Sequence, residues 1–177
     1  MRKINVALVG CGRISKKHIE AISLFPEQAR ITAICDSNEL RLDEALKFIK
    51  SKYKELDYFK PTLYNDYQIL IKQARLKKIE LIVLATPSGF HSEQTILAAN
   101  EGINICTEKP MATTWEDGKK MVEICLKNHC RLFVVKQNRF NSTLQLVKKQ
   151  LQKNRFGKLS LITVNVFWHR PQSYYDQ

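Results

Sequence analysis

The chain has 177 residues, a length that fits one domain and leaves little for a second. It is basic, with a net charge of +12 and 44% apolar residues. Its Lys and Arg are scattered over several segments, so the charge reads as a solvated basic surface, and no nucleic-acid partner is expected. No apolar run reaches the ~18–20 residues of a membrane-spanning helix, and Met1-Arg2-Lys3 leads straight into a strand-like run rather than a signal-peptide core, so a cytoplasmic protein with no membrane partner is expected.

Strand and helix patterns alternate from the first residues. Ile4 to Val9 is a β-rich run that ends at Gly10, after which Ile14, His18, Ile22 and Phe25 recur at helical spacing. Ile31 to Cys35 predicts a second strand ending at Asp36, and Leu42, Ala45, Leu46, Ile49 and Tyr53 mark the next helix face. A short strand is expected near Tyr58 to Tyr64, followed by a helix that starts at Asn65. Leu81 to Ala85 shows no polar alternation, which predicts burial on both faces, as in the middle of a parallel sheet.

A helix from about His91 to Asn100, ended by Gly102, precedes a strand at Ile103 to Thr107. Thr114 and Asp117 have the spacing of a helix start, and Leu132 to Lys136 predicts a further strand. The five cysteines form no C-x-x-C pair. Cys125, His129 and Cys130 share one helical segment without a fourth ligand, so no metal is expected. A helix is expected to begin at Asn141, then a turn at Arg155 to Lys158, and Leu159 to Trp168 alternates like an antiparallel strand. Repeated β-α units imply an α/β, Rossmann-type doubly wound parallel sheet, with ligands at the carboxyl ends of its strands.

The chemistry-bearing segments fall at those ends. Gly10-Cys11-Gly12-Arg13-Ile14-Ser15 reads G-x-G-x-x-S between a first strand and a first helix. Gly10 permits a tight turn, Gly12 removes a side chain where a pyrophosphate approaches, and the helix N-terminus presents N–H groups to the anion. Ser15 stands in place of the third glycine, which predicts slightly looser helix–strand packing. Asp36 can bond the adenosine ribose hydroxyls and repel a 2′-phosphate, favouring NAD over NADP, or it can cap the following helix.

Thr86-Pro87-Ser88-Gly89-Phe90-His91 places hydroxyls near the cofactor ribose. His91 has two readings, a bond to cofactor or substrate and a packing role. Glu108-Lys109-Pro110 puts an amine at a strand end, where it could take the proton of an alcohol that loses hydride, with Glu108 positioning it. On composition alone the same pair reads as an exposed Glu–Lys before a turn. Gln137 to Arg139 is a further polar segment at a strand end.

In their order, Gly10-Cys11-Gly12-Arg13-Ile14, Asp36, Thr86 to His91 and Glu108-Lys109-Pro110 resemble the glucose–fructose oxidoreductase, inositol dehydrogenase and MocA (Gfo/Idh/MocA) family. Val134 to Asn141, Arg155-Phe156-Gly157 and Asn165 to Asp176 are similar to its nucleotide-sugar branch, which includes the UDP-N-acetylglucosaminuronate 3-dehydrogenases of surface-polysaccharide synthesis.

The resemblance implies an NAD-dependent oxidoreductase acting on a hydroxyl of a sugar or nucleotide sugar, such as the 3-hydroxyl of a UDP-N-acetylglucosaminuronate-type substrate in lipopolysaccharide or O-antigen synthesis. It implies Lys109 as catalytic residue, with a cis bond to Pro110. It implies Gly10, Gly12, Arg13, Ile14, Asp36, Thr86, Pro87, Ser88, His91, Glu108, Lys109, Gln137 and Asn138 at the cofactor. Lys109, Arg139, Trp168 and Arg170 are implied at the substrate.

Family members run to roughly twice this length and pair the lysine with a downstream histidine. The expectation is therefore an NAD-binding domain over 1–140 and, over 141–177, the first strand of a truncated second α/β domain. The chain by itself is expected to lack dehydrogenase activity, and a full-length form is expected to be a homo-oligomer. The alternative reading is a non-catalytic dinucleotide-binding or regulatory module, which the length of the natural reading frame would separate from an enzyme.

Overall fold

The computed structural model describes residues 2–53 and 59–174. Strands β1 (Ile4–Val9), β2 (Ala29–Cys35), β3 (Thr62–Tyr64), β4 (Leu81–Leu84), β5 (Asn104–Thr107) and β6 (Leu132–Val134) alternate with helices. The helices are α1 (Ser15–Ser23), α2 (Glu39–Lys52), α3 (Tyr67–Ala74), α4 (His91–Asn100), α5 (Trp115–Lys127) and α6 (Ser142–Gln152). The strands form one sheet in the order β3-β2-β1-β4-β5-β6, and every pairing is parallel. Parallel neighbours need crossover helices, and these supply the second and third layers. Among the described residues no helix is long and apolar enough to cross a membrane.

The period of two in β1 explains its unbroken apolar run. Val6 and Leu8 join one buried cluster with Ile19 of α1 and Leu42, Ala45 and Ile49 of α2. Ala7 and Val9 join a second cluster with Leu70 and Ala74 of α3, Ala98 and Ala99 of α4 and Cys125 of α5. One strand thus feeds two cores, as a central parallel strand must. Cys125 and Cys130 are buried in this packing, and the Cys130 thiol lies 3.6 Å from the Ala99 carbonyl.

Local chemistry sets the helix starts. Asn38 accepts from the N–H groups of Leu40 and Arg41, and Thr114 from that of Asp117. For α3 the cap is Asp66, which accepts from Ile69 N–H at 3.0 Å, not the expected Asn65. Either short polar side chain can cap, and the choice is decided by which one the chain direction after β3 turns toward the helix axis. The expected strand near Tyr58 to Tyr64 narrows to Thr62–Tyr64, and residues 54–58 lie outside the described residues.

The chain divides into two compact units, Met1–Lys136 and Gln137–Gln177. Within the second, Asn141 caps α6 as expected, accepting from Thr143 and Leu144 N–H at 3.0 and 3.3 Å. Asn154 and Gly157 then turn the chain with φ of 52° and 63°. The expected strand from Leu159 to Trp168 does not form: the segment belongs to no ladder, and each of its residues is exposed. Its alternating pattern sets a strand's two faces, but a strand exists only against a hydrogen-bonded partner, and none pairs with it among the described residues.

The sheet centre should dominate the stability of the first unit. Ile82 is wholly buried in β4, and Ile82→Ala is expected to cost about 2–5 kcal/mol in urea unfolding followed by circular dichroism. Leu40→Ala, at a side chain 74% exposed, should cost less than about 0.5 kcal/mol.

Candidate functional site: a dinucleotide cleft at the sheet switch point

The strand order reverses beside β1, whose neighbours β2 and β4 lead to opposite edges of the sheet. A crevice opens at such a point outside the carboxyl ends of the strands. Val9 pairs with Leu84, so β1 and β4 end level, and the residues that follow them meet across the opening.

Gly10 is the first of these. Its N–H donates to the Cys35 carbonyl at 2.8 Å, while Ala85 N–H donates to the Val9 carbonyl at 2.7 Å. Gly10 has φ of +87°, and a Cβ there would lie 2.6 Å from the carbonyl carbon and oxygen of Ala85. Only glycine fits. Gly12 differs: a Cβ there would meet nothing within 4 Å, so the protein itself does not demand a glycine at that position. The missing side chain leaves room for a ligand. Ser15, in place of a third glycine, is buried, and its hydroxyl donates to the Gly12 carbonyl at 2.6 Å, so it closes the turn instead of loosening it. Ile14 sits at the N-cap of α1 without a side-chain cap, in contrast to α2, α3 and α5, and Arg13 precedes it on the same loop. No side chain caps α1; Ser15 and Lys17 N–H donate to the Gly12 and Ile14 carbonyls at 3.1 and 3.0 Å, and the positive end of the helix dipole suits an anion.

Asp36 follows β2. Its carboxylate accepts Cys11 N–H at 2.7 Å and Asn38 N–H at 2.9 Å, which pins it against the glycine turn. It does not cap α2, since Asn38 does. A carboxylate has about four lone-pair positions, so two backbone bonds leave capacity for a pair of hydroxyls. Asp36 lines a cleft of about 570 Å³ together with Gly10, Gly12, Thr86 and Pro87.

Ser37 and Phe90, from the strand-end segments, also line it, as do Arg41, Asp66, Tyr67 and Gln94, which the sequence pattern assigned to no site. Arg41 is exposed on α2 and Gln94 is half-buried on α4, and helical periodicity says nothing of a ligand at either. Thr86 Oγ1 donates to Gln94 Oε1 at 2.7 Å, and Tyr67 donates to the Gln94 carbonyl at 2.7 Å, so α3 and α4 are tied together at the cleft wall. Burial pushes the Tyr67 phenol up and keeps it a neutral donor. Ser88 lies in a single tight turn over Ser88–Phe90 and does not line the cleft.

His91 departs from its expected place at the cofactor. It is 1% exposed, and both ring nitrogens are engaged: Nδ1 lies 2.9 Å from the Pro110 carbonyl and Nε2 2.9 Å from the Thr86 carbonyl. It links two strand-end loops and has no nitrogen left for a ligand. The packing role is the one the structure supports.

Glu108 leaves β5 buried, with its N–H donating to the Leu84 carbonyl at 2.9 Å. Its Oε1 lies 3.0 Å from His18 Nε2 of α1, and Oε2 accepts Lys109 N–H at 3.2 Å. The Lys109–Pro110 bond is cis. Lys109 itself is exposed at the strand end and is outside the cleft wall. His18 is a position that sequence reasoning counted only as part of a helix face. Gln137, Asn138, Arg139, Trp168 and Arg170 belong to the second unit. There Gln137–Phe140 forms one tight turn, Gln145 donates to the Arg139 carbonyl, and the Arg170 guanidinium stacks 4.4 Å from the Trp168 ring centroid.

The profile of the oxidoreductase family GFO_IDH_MocA, with an NAD-binding Rossmann fold, matches residues 4–136. The chain belongs to this family. The structure is also similar to the WlbA dehydrogenase of Bordetella pertussis in complex with NADH and UDP-GlcNAcA, at 47% identity and a TM-score of 0.85, covering 99% of this chain and 50% of that one. It is similar to the WlbA dehydrogenase of Chromobacterium violaceum, in complex with the same two ligands, at 40% identity and a TM-score of 0.88, covering 99% of this chain and 47% of that one. A curated relative, D-apiose dehydrogenase of Paraburkholderia graminis, is 27% identical over 157 residues, 89% of this chain and 38% of the relative. The chain thus spans about half or less of the length of the proteins it matches.

The glycine pair separates fold from binding. Gly10→Ala is expected to destabilise by about 2–4 kcal/mol, from overpacking and a left-handed backbone. Gly12→Ala should change stability by less than about 1 kcal/mol and still weaken NAD binding at least about tenfold in calorimetric titration.

The thiols beside the turn should be inert. Burial, with Asp36 adding to it, pushes the thiols of both Cys11 and Cys35 up to about 12. The thiolate is then populated only as pH approaches that value, so neither should react with a thiol reagent at pH 8 until the protein unfolds, as read by mass spectrometry.

Proposed function

We propose that the Gly10–Ser15 turn and Asp36 hold NAD, and that the whole protein uses it to oxidise a hydroxyl of a nucleotide sugar. The favoured substrate is of the UDP-N-acetylglucosaminuronate type, oxidised at its 3-hydroxyl in lipopolysaccharide or O-antigen synthesis in the cytoplasm, by a homo-oligomer of the full-length form. The observation that carries the reading is the gathering of a glycine turn, a pinned carboxylate and a buttressed Glu108-Lys109-Pro110 bend at one edge of a parallel sheet. The likeness to two dehydrogenases in complex with NADH and UDP-GlcNAcA supports the choice of substrate class.

Each residue has a physical task in this reading. The unblocked space at Gly12 and the uncapped start of α1 receive the pyrophosphate. Asp36 accepts from the ribose hydroxyls and repels a 2′-phosphate. NAD, when bound, supplies the hydride acceptor. Lys109 takes the hydroxyl proton as the carbonyl forms, so the amine must be neutral at that moment. His18 and His91 act through the backbone and Glu108, holding the bend on both sides of Lys109 so that the amine is aimed. Gln137 and Asn138 are assigned to the cofactor, and Arg139, Trp168 and Arg170 to the substrate.

Calorimetric titration of this chain is expected to show NAD binding tighter than NADP; equal or tighter NADP binding sinks the assignment of Asp36. In a form extended to the length of the relatives, NADH production from UDP-N-acetylglucosaminuronate is the test of activity. There Lys109→Ala should reduce turnover by roughly 10²–10⁴-fold with NAD binding retained. NAD binding without turnover of any nucleotide sugar would favour a non-catalytic dinucleotide-binding module instead.

A further inference from the structure

Asp36 shares the ribose end of the cleft with a cation. Arg41 lies in the first turn of α2 and lines the same cleft as Gly10, Asp36 and Ser37. Its backbone is fixed there by the Asn38 cap, whose Oδ1 accepts the N–H groups of Leu40 and Arg41 at 3.0 and 3.4 Å. The two charges are held differently. Asp36 is pinned by two backbone N–H bonds and enters no ion pair among the described residues. The Arg41 guanidinium enters no ion pair among the described residues. Both act on one point of the glycine turn: burial and then Asp36 raise the Cys11 thiol, while Arg41 pulls it the other way. A carboxylate and an arginine that enters no ion pair among the described residues therefore line one cleft at the end of β2.

That pairing bears on cofactor choice. The adenosine ribose of a dinucleotide sits at the end of the second strand, and the 2′-phosphate that distinguishes NADP adds close to two negative charges there. A carboxylate at that point repels the phosphate. A guanidinium attracts it, because its planar fork matches two phosphate oxygens at once.

Resting on the dinucleotide reading above, we propose that Arg41 is a latent receptor for the 2′-phosphate of NADP, held in check by Asp36 alone. The cation that NADP needs is already in the cleft, so removing the carboxylate charge is enough to admit the phosphate.

The test is calorimetric titration of NAD and of NADP into this chain and its variants. Asp36→Ser removes the charge. Asp36→Asn removes it too and keeps a carbonyl acceptor for the Cys11 and Asn38 N–H groups, which guards against loss of the turn. Either variant is expected to raise NADP affinity by about tenfold to a hundredfold, the range of one charge-assisted contact. Adding Arg41→Ala to either should abolish most of that gain and cost NADP far more than NAD, and adding Arg41→Lys should keep part of it. An equal NADP gain with and without Arg41, or no gain from either Asp36 variant that still binds NAD, overturns the role of Arg41 and leaves the dinucleotide reading standing. A parent chain that binds neither cofactor overturns both.

Discussion

The site depends on one close approach, that of the Gly10 backbone to the exit of β4. β1 and β4 end level, and the chain after β1 must pass within van der Waals contact of Ala85 and Thr86 to enter α1. Because Gly10 has no side chain, its N–H reaches Cys35 on one side while Val9 keeps its bond to Ala85 on the other. The next amide, that of Cys11, is thereby aimed at Asp36. A steric constraint at one backbone atom thus sets the direction of α1, the position of the carboxylate and the width of the crevice. The hydrophobic cores on the two faces of the sheet make this rigid, since β1 contributes to both.

A second layer of organisation lies behind Lys109. Glu108 is anchored to β4 by its own N–H, to α1 through His18, and to the next residue through Lys109 N–H. Pro110 is anchored to the Thr86 loop through His91. Lysine side chains are long and flexible, and a lysine on an ordinary loop would spend little time in any one orientation. Fixing the backbone on both sides is the available remedy. Two histidines from different helices, neither of which lines the cleft, do this with groups that cost little volume. Residues far apart in sequence are in this way devoted to a single side chain.

The sheet was legible in the sequence because β1 and β4 are short, mostly apolar runs whose burial on both faces suppresses alternation. That Gly10, Gly12 and Asp36 meet at one cleft was legible because the pattern G-x-G after a strand and an acid after the next strand place them at neighbouring strand ends. His91 kept two readings in the sequence because a histidine at a loop–helix junction has the same signature whether its nitrogens face a ligand or a carbonyl; the tertiary fold, which brings Pro110 and Thr86 to either side of the ring, favours the packing role. His18, Arg41 and Gln94 escaped for a related reason. Each acts through a partner tens of residues away or through a cleft formed by several elements, and helical periodicity carries no record of either. Leu159 to Trp168 has the pattern of a strand but not its partner, and pattern alone does not make a ladder.

Asp36 illustrates why such a site resists piecemeal reading. One oxygen holds the glycine turn and the other holds the start of α2, so the group proposed to select the cofactor is also a structural tie between the two loops that flank it. Its charge and its hydrogen-bonding capacity are separable. The backbone N–H groups require an acceptor, which a neutral amide can supply, whereas exclusion of a second phosphate requires a negative charge. Selection therefore does not depend on the shape of the turn. In the proposed reading it depends on the sign of the field at one end of the cleft, which a pinned carboxylate and an exposed arginine both line. In the proposed reading this local charge favours a bare ribose, even though the chain as a whole carries a net charge of +12.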